Sequence, residues 1–472
     1  MLEIAILADL HLTRFPRTAQ YKALAYARER ILRKKPDVLV CLGDMTAVGD
    51  AEAAAAFREA FRDLPLKRLF LPGNADLRRG EDNPAVALLS EGKLIEEDGF
   101  RLLGLDTSEK TLSREDRELL ARADGRTLVF MHHPPEEVAG WDRRAESCMA
   151  VIYGHRHFFL REGNRISVNA LDPDKAMGGP PEITWIDLDG KDVKVARETL
   201  PGYGPEGIED KAGISCFSTE AVLWAAENRV PSIELRPGSV SWERPALPEA
   251  VARWRERGGK YLSLHMPDYG AGCDEAALDE AIAFAGMIGV DGATFHVPKL
   301  SVGEMKTEWN AISAWLAGKI GRLPPETTVG IENLHMTPAE RPDDARRFGY
   351  TPEECVAYAD GMARRCGERR VGILLDVGHA RYNGIYAEEY PVGVWYALCG
   401  ERIVAYHLHQ VVYKDGELFN HNPIESVYGP LISYCGFSWC WNDGILPKRP
   451  AFAEIRGEYA GSYRNLSGRK AE

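Results

Sequence analysis

The sequence predicts an α/β protein of two domains, a mixed-sheet domain followed by a closed barrel of eight strand-then-helix units. Three observations lead there. At 472 residues the chain is too long for one core, because domains run to roughly 100 to 200 residues. Its first part alternates apolar, strand-like runs with amphipathic helical stretches, and each run ends just before a polar cluster. After the Gly/Pro-rich run LPGYGPEG at Leu200–Gly207, strand and helix patterns recur eight times, the count of a (β/α)₈ barrel. The expected layout is a first domain at 1–198, a linker at 199–212 and a barrel at 213–472.

In the first domain, Glu3–Ala8 reads as a strand. Thr18 is placed to cap a helix with Tyr21, Leu24, Ala25, Ile31 and Leu32 on one face, and Pro36 closes it before the strand Val38–Leu42. Further strands are expected at Arg68–Leu71, Leu102–Leu105, Thr127–Met131, Met149–Tyr153 and Ile183–Leu188, followed by a last β-like stretch. The barrel strands are expected at Ile214–Phe217, Ser232–Leu235, Tyr261–His265, Ala293–His296, Thr328–Glu332, Val371–Asp376, Ile403–His409 and Ala451–Ile455. Helical stretches such as Glu275–Ile288 and Pro352–Cys366 lie between them.

Composition narrows the class. Hydrophobic residues make up 45% and charged residues 27%, values of a folded globular protein. The N-terminal MLEIAILADLHL carries no basic leader, and no stretch holds eighteen apolar residues in a row, so no membrane association is expected. Nine scattered Cys point to reduced thiols and a cytoplasmic address. A net charge of -13 weighs against non-specific attraction to nucleic acid, although bound cations would offset it locally.

Five clusters follow the first-domain strands: Asp9-Leu-His11, Gly43-Asp44, Gly73-Asn74-Ala75-Asp76, His132-His133-Pro-Pro and Gly154-His155-Arg-His157. In this order they resemble the calcineurin-like metallophosphoesterase family over about the first 195 residues, with its α/β sandwich fold. The resemblance implies two divalent metals bridged by Asp44. Asp9, His11 and His157 would complete one and Asn74, His132 and His155 the other; His133 is expected to be structural or to face substrate. Mixed oxygen and imidazole ligands suit Mn, Fe or Zn. Asp44, Asn74 and His132 are the expected catalytic residues of this domain. Where the family usually carries a leaving-group histidine stands Ala75, which implies a preference for phosphodiesters with acidic leaving groups.

The barrel strands end in Glu332, Asp376 (with His379 after it), His407 and Glu454. Glu-Asp-His-Glu at the ends of the fifth to eighth strands is similar to the xylose-isomerase-like superfamily of TIM barrels, which includes sugar epimerases and the AP endonuclease family 2. The similarity runs from Ile214 to Arg456 and implies one or more divalent metals, Zn or Mn, with Glu332 and Glu454 catalytic. His265, His296 and His421 bring the pattern nearer the endonuclease-IV type. Phe419 stands where that type has an Asp two residues before the last His, which argues against a third metal; His379 is then expected to touch substrate. His407 and His409 face one side of their strand, and either could be the ligand. Glu234, Arg236 and Arg456 would face the mouth, as anion binders or as structural ion pairs. The stretch SYCGFSWCWNDG, with Tyr434, Phe437, Trp439 and Trp441, is read as a lid over the mouth or as an interdomain or dimer contact.

The leading expectation is a metal-dependent phosphodiesterase acting on a small sugar- or polyol-containing phosphodiester, with a barrel that processes or recognises the sugar moiety. His133, His379, His421 and Arg456 are the expected substrate contacts. Second stands a nuclease joined to an abasic-site endonuclease-like barrel, and third a phosphoesterase with a non-catalytic barrel. The expected partner is a small-molecule phosphoester, with nucleic acid behind it and a homo-oligomer left open.

Overall fold

A computed structural model of the chain describes residues 2–80, 83–142, 147–177, 180–190, 192–200, 204–236, 246–337, 340–366, 371–414, 417–424, 435–455 and 459–467. The chain divides into two compact units, Met1–Tyr203 with the short segment Pro430–Phe437, and Gly204–Gly429 with Ser438–Glu472.

The first unit is an α/β sandwich of two sheets. One runs in the order Asp192–Thr199, Glu182–Asp189, Leu2–Leu7, Val38–Leu42, Lys67–Leu71; the other in the order Leu94–Glu97, Phe100–Gly104, Thr127–Met131, Ala150–Tyr153, Arg165–Ser167, Leu160–Glu162. Leu2–Leu7, Val38–Leu42 and Lys67–Leu71 are mutually parallel, as are the four strands from Phe100–Gly104 to Arg165–Ser167. Ile4, Ile6, Val40 and Leu69 of the first sheet share one core with Leu102, Leu128, Ile152 and Ile166 of the second. Strands buried on both faces read as unbroken apolar runs, which is why they were visible in the sequence. The short strands Leu94–Glu97, Leu160–Glu162 and Arg165–Ser167 were not expected, because half-exposed strands of three or four residues show almost no periodicity.

The second unit is a closed eight-stranded parallel barrel in which Ala212–Cys216, Ser232–Leu235, Tyr261–His265, Gly292–His296, Thr328–Glu332, Val371–Asp376, Ile403–Leu408 and Ala451–Ala453 pair in sequence order and the last meets the first. The first strand begins two residues earlier than the apolar run suggested, and the eighth stops at Ala453, before the polar Glu454. Beyond the seventh strand the chain makes a hairpin, Gln410–Lys414 with Glu417–Asn422, that brings His421 back to His409. The described part of the aromatic stretch is helical. It forms the helix Cys435–Asn442, in which Trp439 and Trp441 are buried. Trp441 lies 6.2 Å from Tyr406, whose ring faces away from the side taken by the adjacent His407, and its indole N–H donates to Glu206 O (2.9 Å). Tyr434 falls outside the described residues. Among the described residues no helix is long and apolar enough to cross a membrane.

Candidate metal centres at the strand ends

In the first unit, parallel strands end side by side, and the turn after each strand carries one cluster to a common point. The backbone pays close attention to where those side chains go. Asp9, His11, Asp44, His155 and His157 all have positive φ, between 51° and 66°, a conformation that costs a non-glycine residue and persists only where the surroundings impose it. Glycines make room beside them: a Cβ on Gly73 would lie 2.2 Å from Asp44 Oδ1.

The carboxylate of Asp44 is central and buried. Its Oδ1 accepts the Ala75 N–H (2.7 Å), which leaves Oδ2 at 3.6 Å from His11 Nε2 and 3.5 Å from His132 Nε2. Asp9, His11, Asp44 and His157 form one group of converging ligand atoms, and His132, His133 and His155 a second. Asn74 Oδ1 lies 3.0 Å from His132 Nε2. His133, expected to be structural or substrate-facing, therefore sits with the ligand candidates.

Hydrogen bonds set the tautomers. His132 Nδ1–H donates to Leu42 O (2.7 Å) and His133 Nδ1–H to Thr107 O (2.6 Å), since a carbonyl can only accept. Each ring thus turns Nε2 inward. His132 Nε2 and Asn74 Oδ1 meet at 3.0 Å, and His133 Nε2 is buried with no hydrogen-bond partner. A shared cation satisfies both, so the donor set fits the metals that the resemblance implies.

The electrostatics agree. Burial alone would raise the Asp44 pKa, but the His132 and His11 rings and the Ala75 N–H hold it well below the carboxylate range. Burial, and then the neighbouring His132, lowers His155 to about 4; the same causes with His155 lower His133 to about 4, so both rings are neutral at pH 7. Sequence reading missed the supports. Asp172 Oδ2 lies 3.2 Å from His11 Nδ1, and Asp76 accepts from Thr46 N (2.8 Å) and Gly73 N (2.9 Å), tying the second and third clusters together. Asp76 itself is pushed up to about 6 by burial and by the charge of Asp44.

The barrel gathers its own set. Strand register places His296 beside Glu332 and Asp376 beside His407. Glu332 stands between groups: its Oε2 is 2.8 Å from His265 Nε2 and 3.4 Å from His296 Nε2, and its Oε1 is 3.1 Å from His407 Nδ1. His265, His296 and Glu332 converge, as do Glu332, Asp376, His407 and Glu454, all four of the latter buried. Asp376 Oδ2 is buried without a hydrogen-bond partner, again what a cation would satisfy.

His407 and His409 divide between two places. His407 Nε2 is held by Glu234 (2.7 Å) and its Nδ1 faces Glu332 and Glu454, each at 3.1 Å. Glu234 thereby selects the nitrogen that points to the centre, a role the sequence left as one option among ion pairs. His409 Nε2 meets Asp376 Oδ1 at 3.0 Å, and its ring occupies the space over Gly378, where a Cβ would lie 1.9 Å from His409 Cε1. His379, His409 and His421 form a third converging group, with His379 Nε2 at 3.4 Å from His421 Nε2. Phe419 is 47% exposed, and His409 stands beside these two histidines instead of the missing acid. Arg456 lies outside the described residues.

Burial alone would lower the pKa of His407, but Glu234, Glu454 and Glu332 together hold it well above the imidazole range. For His296 the same contest with Glu332 and Asp268 ends at about 9. Both rings are therefore protonated at pH 7 in the metal-free protein, and a cation must displace those protons. Barrel loading is expected to release roughly two protons per chain at pH 7 and to strengthen as pH rises from 6 to 9, whereas His133 and His155 release none above pH 6. Metal titrations by calorimetry in two buffers of different ionisation enthalpy measure this; proton-free loading of the barrel would contradict it.

Residues 2–159 match the family model of calcineurin-like phosphoesterases. A protein of Arcobacter nitrofigilis described as a probable glycerophosphodiester phosphodiesterase is 31% identical over 27% of this chain, and the match spans 58% of that relative's length. Among solved structures, a D-tagatose 3-epimerase-like protein is similar over 55% of this chain and 94% of its own (17% identity, TM-score 0.38). A dimetal phosphatase from Danio rerio is similar over 42% of this chain and 96% of its own (12% identity, TM-score 0.33).

Proposed function

We propose, for a chain whose residues 2–159 carry the calcineurin-like phosphoesterase pattern, that the protein is a two-metal phosphodiesterase acting on a small polyol- or sugar-containing phosphodiester, with a metal-loaded barrel that handles the polyol part. The observation that carries this reading is the position of Asp44 Oδ2, about equidistant from His11 Nε2 and His132 Nε2 and so between two groups of ligand atoms. Asp9, His11, Asp44 and His157 would hold one cation, and Asp44, Asn74, His132 and His155 the other, with His133 close by. Such a pair supplies Lewis acidity, lowering the pKa of water and neutralising charge on the phosphoryl oxygens. In the barrel, Glu332, Asp376, His407 and Glu454 would hold one cation, and His265, His296 and Glu332 another. The name of the curated relative supports a glycerol-type diester as the substrate class.

The chain's own residues set the preference among esters. Ala75 is buried and uses its N–H on Asp44, so this position offers the leaving oxygen no proton. His133, held neutral down to about pH 4 and carrying its one ring proton toward Thr107 O, offers none either. A general acid contributes about 10²- to 10⁴-fold where the leaving group needs a proton. Aryl phosphodiesters are therefore expected to be cut at least about 10²-fold faster than alkyl ones of similar size. The check is kcat/KM of the metal-loaded protein across esters of graded leaving-group pKa, beginning with a bis-aryl diester. A flat dependence would show that a proton donor is present after all, and no hydrolysis of the aryl diester would reject the phosphodiesterase. Nicking of a plasmid with abasic sites, run in parallel, tests the nuclease alternative.

A further inference from the structure

The guanidinium of Arg236 lies beside a set of metal-type ligands. Arg236 follows the second barrel strand, Ser232–Leu235, and its side chain is only 15% exposed. It lines a cavity of about 310 Å³ together with Phe217, Asn420, His421 and Glu454. Its Nη1 lies 3.4 Å from Glu234 Oε2, its Nη2 pairs with Glu454, and its guanidinium carbon stands 5.6 Å from the Phe217 ring centre. Both carboxylates also contact His407, so Arg236 shares its partners with the candidate metal centre.

Charge decides what this arrangement accepts. Glu234, Glu332, Asp376 and Glu454 are buried and bring four negative charges, and Arg236 returns one. With the His407 and His296 rings deprotonated as ligands, two divalent cations bring the sum of these five side chains from minus three to plus one. Arg236 lines the cavity beside carboxylates that also face the candidate cations, and its planar fork matches the oxygens of a phosphoryl group. Asn420 and His421 bring an amide and an imidazole to the same cavity, groups that hydrogen-bond hydroxyls. The volume lies at the small end of ligand pockets, which run from about 300 to 1,000 Å³.

We infer that the barrel takes an anionic substrate, the phosphomonoester of a small polyol, with its phosphoryl group on Arg236 and its hydroxyls toward the cations, Asn420 and His421. This deepens the reading of the barrel given above and rests on it. The reaction class that supplies such a molecule is hydrolysis of a polyol phosphodiester. Water oxygen bonds to phosphorus, the bond to the leaving oxygen breaks, that oxygen takes up a proton, and a phosphomonoester and an alcohol result.

The test uses the full-length chain carrying Asp44→Asn, loaded with Zn or Mn, so that the first domain does not turn over the probes. Calorimetry with glycerol 3-phosphate, glycerol and inorganic phosphate should show the ester bound at one site per chain, with glycerol and phosphate each about tenfold weaker or more. Adding Arg236→Gln should weaken the ester by about tenfold or more, and Arg236→Lys by less, with barrel metal content unchanged in the Lys variant. Glycerol or inorganic phosphate binding as tightly as the ester, no binding of the ester, or ester binding unchanged in both Arg236 variants would each overturn the inference. The three-ligand comparison stands even if Arg236→Gln fails to fold. Hydrolysis of an aryl phosphodiester by the parent chain is scored separately: its absence rejects the phosphodiesterase reading and leaves the binding result readable.

Discussion

Asp44→Asn is expected to lower kcat/KM for an aryl phosphodiester by about 10³-fold or more and to leave the fold intact. A loss of 10³ is about 4 kcal/mol of transition-state stabilisation, the scale on which single groups aimed at developing charge act in dry sites. The substitution is isosteric. Its amide can keep the acceptor that receives the Ala75 N–H, and then presents a donor where Oδ2 faced His11 and His132. That replaces the one atom between the two ligand groups with a group that repels cations. Stability need not fall, because a buried charge is removed along with its attraction to the rings. The measurements are kcat/KM at saturating metal, metal content per chain and the thermal midpoint. Activity within tenfold of the parent would remove Asp44 from the bridging position.

Glu332→Gln is expected to strip the barrel of cations while leaving hydrolysis by the first domain at the parent level. The two oxygens of Glu332 face different groups, Oε2 toward His265 and His296 and Oε1 toward His407, so one carboxylate serves both. Replacing even a group one hydrogen bond away from a ligand lowers metal affinity about 10- to 100-fold, and loss of a shared ligand should exceed the upper figure. A weaker effect is expected for Glu234→Gln, which keeps an acceptor for His407 Nε2 and loses only the charge. Elemental analysis before and after dialysis, beside the aryl diester assay, reads both outcomes. If Glu332→Gln also abolished the hydrolysis, the two ligand sets would not be independent.

Strand existence was legible because both units bury parallel strands on two faces. Val38–Leu42, Ser232–Leu235, Tyr261–His265, Thr328–Glu332 and Val371–Asp376 fall at the residues expected of them. The polar residue after each run was equally legible, since a carboxylate or imidazole at the end of an apolar strand has no packing reason to be there. The short edge strands and the aromatic helix were not. Local periodicity in SYCGFSWCWNDG fits a lid as well as a buried helix, and Trp441 was decided by Tyr406 and Glu206, far away in sequence.

The sequence by itself determined the fold class, the positions of the buried strands and the kinds of side chain at their ends, because those depend on residues close together along the chain. Only the tertiary structure decided which atoms meet. The left-handed backbone at Asp9, His11, Asp44, His155 and His157 is imposed by loops packed against one another, and no local pattern marks it. His407 and His409 were equivalent by alternation until barrel closure placed Glu234 against the first and Asp376 against the second. His421 joins them because a hairpin folds back twelve residues later, and the tautomers of His132, His265 and His379 are set by the carbonyls of Leu42, Met266 and Asn333. Ligand geometry is a property of contacts between distant segments, so residue type is written in the chain and residue partnership in the fold.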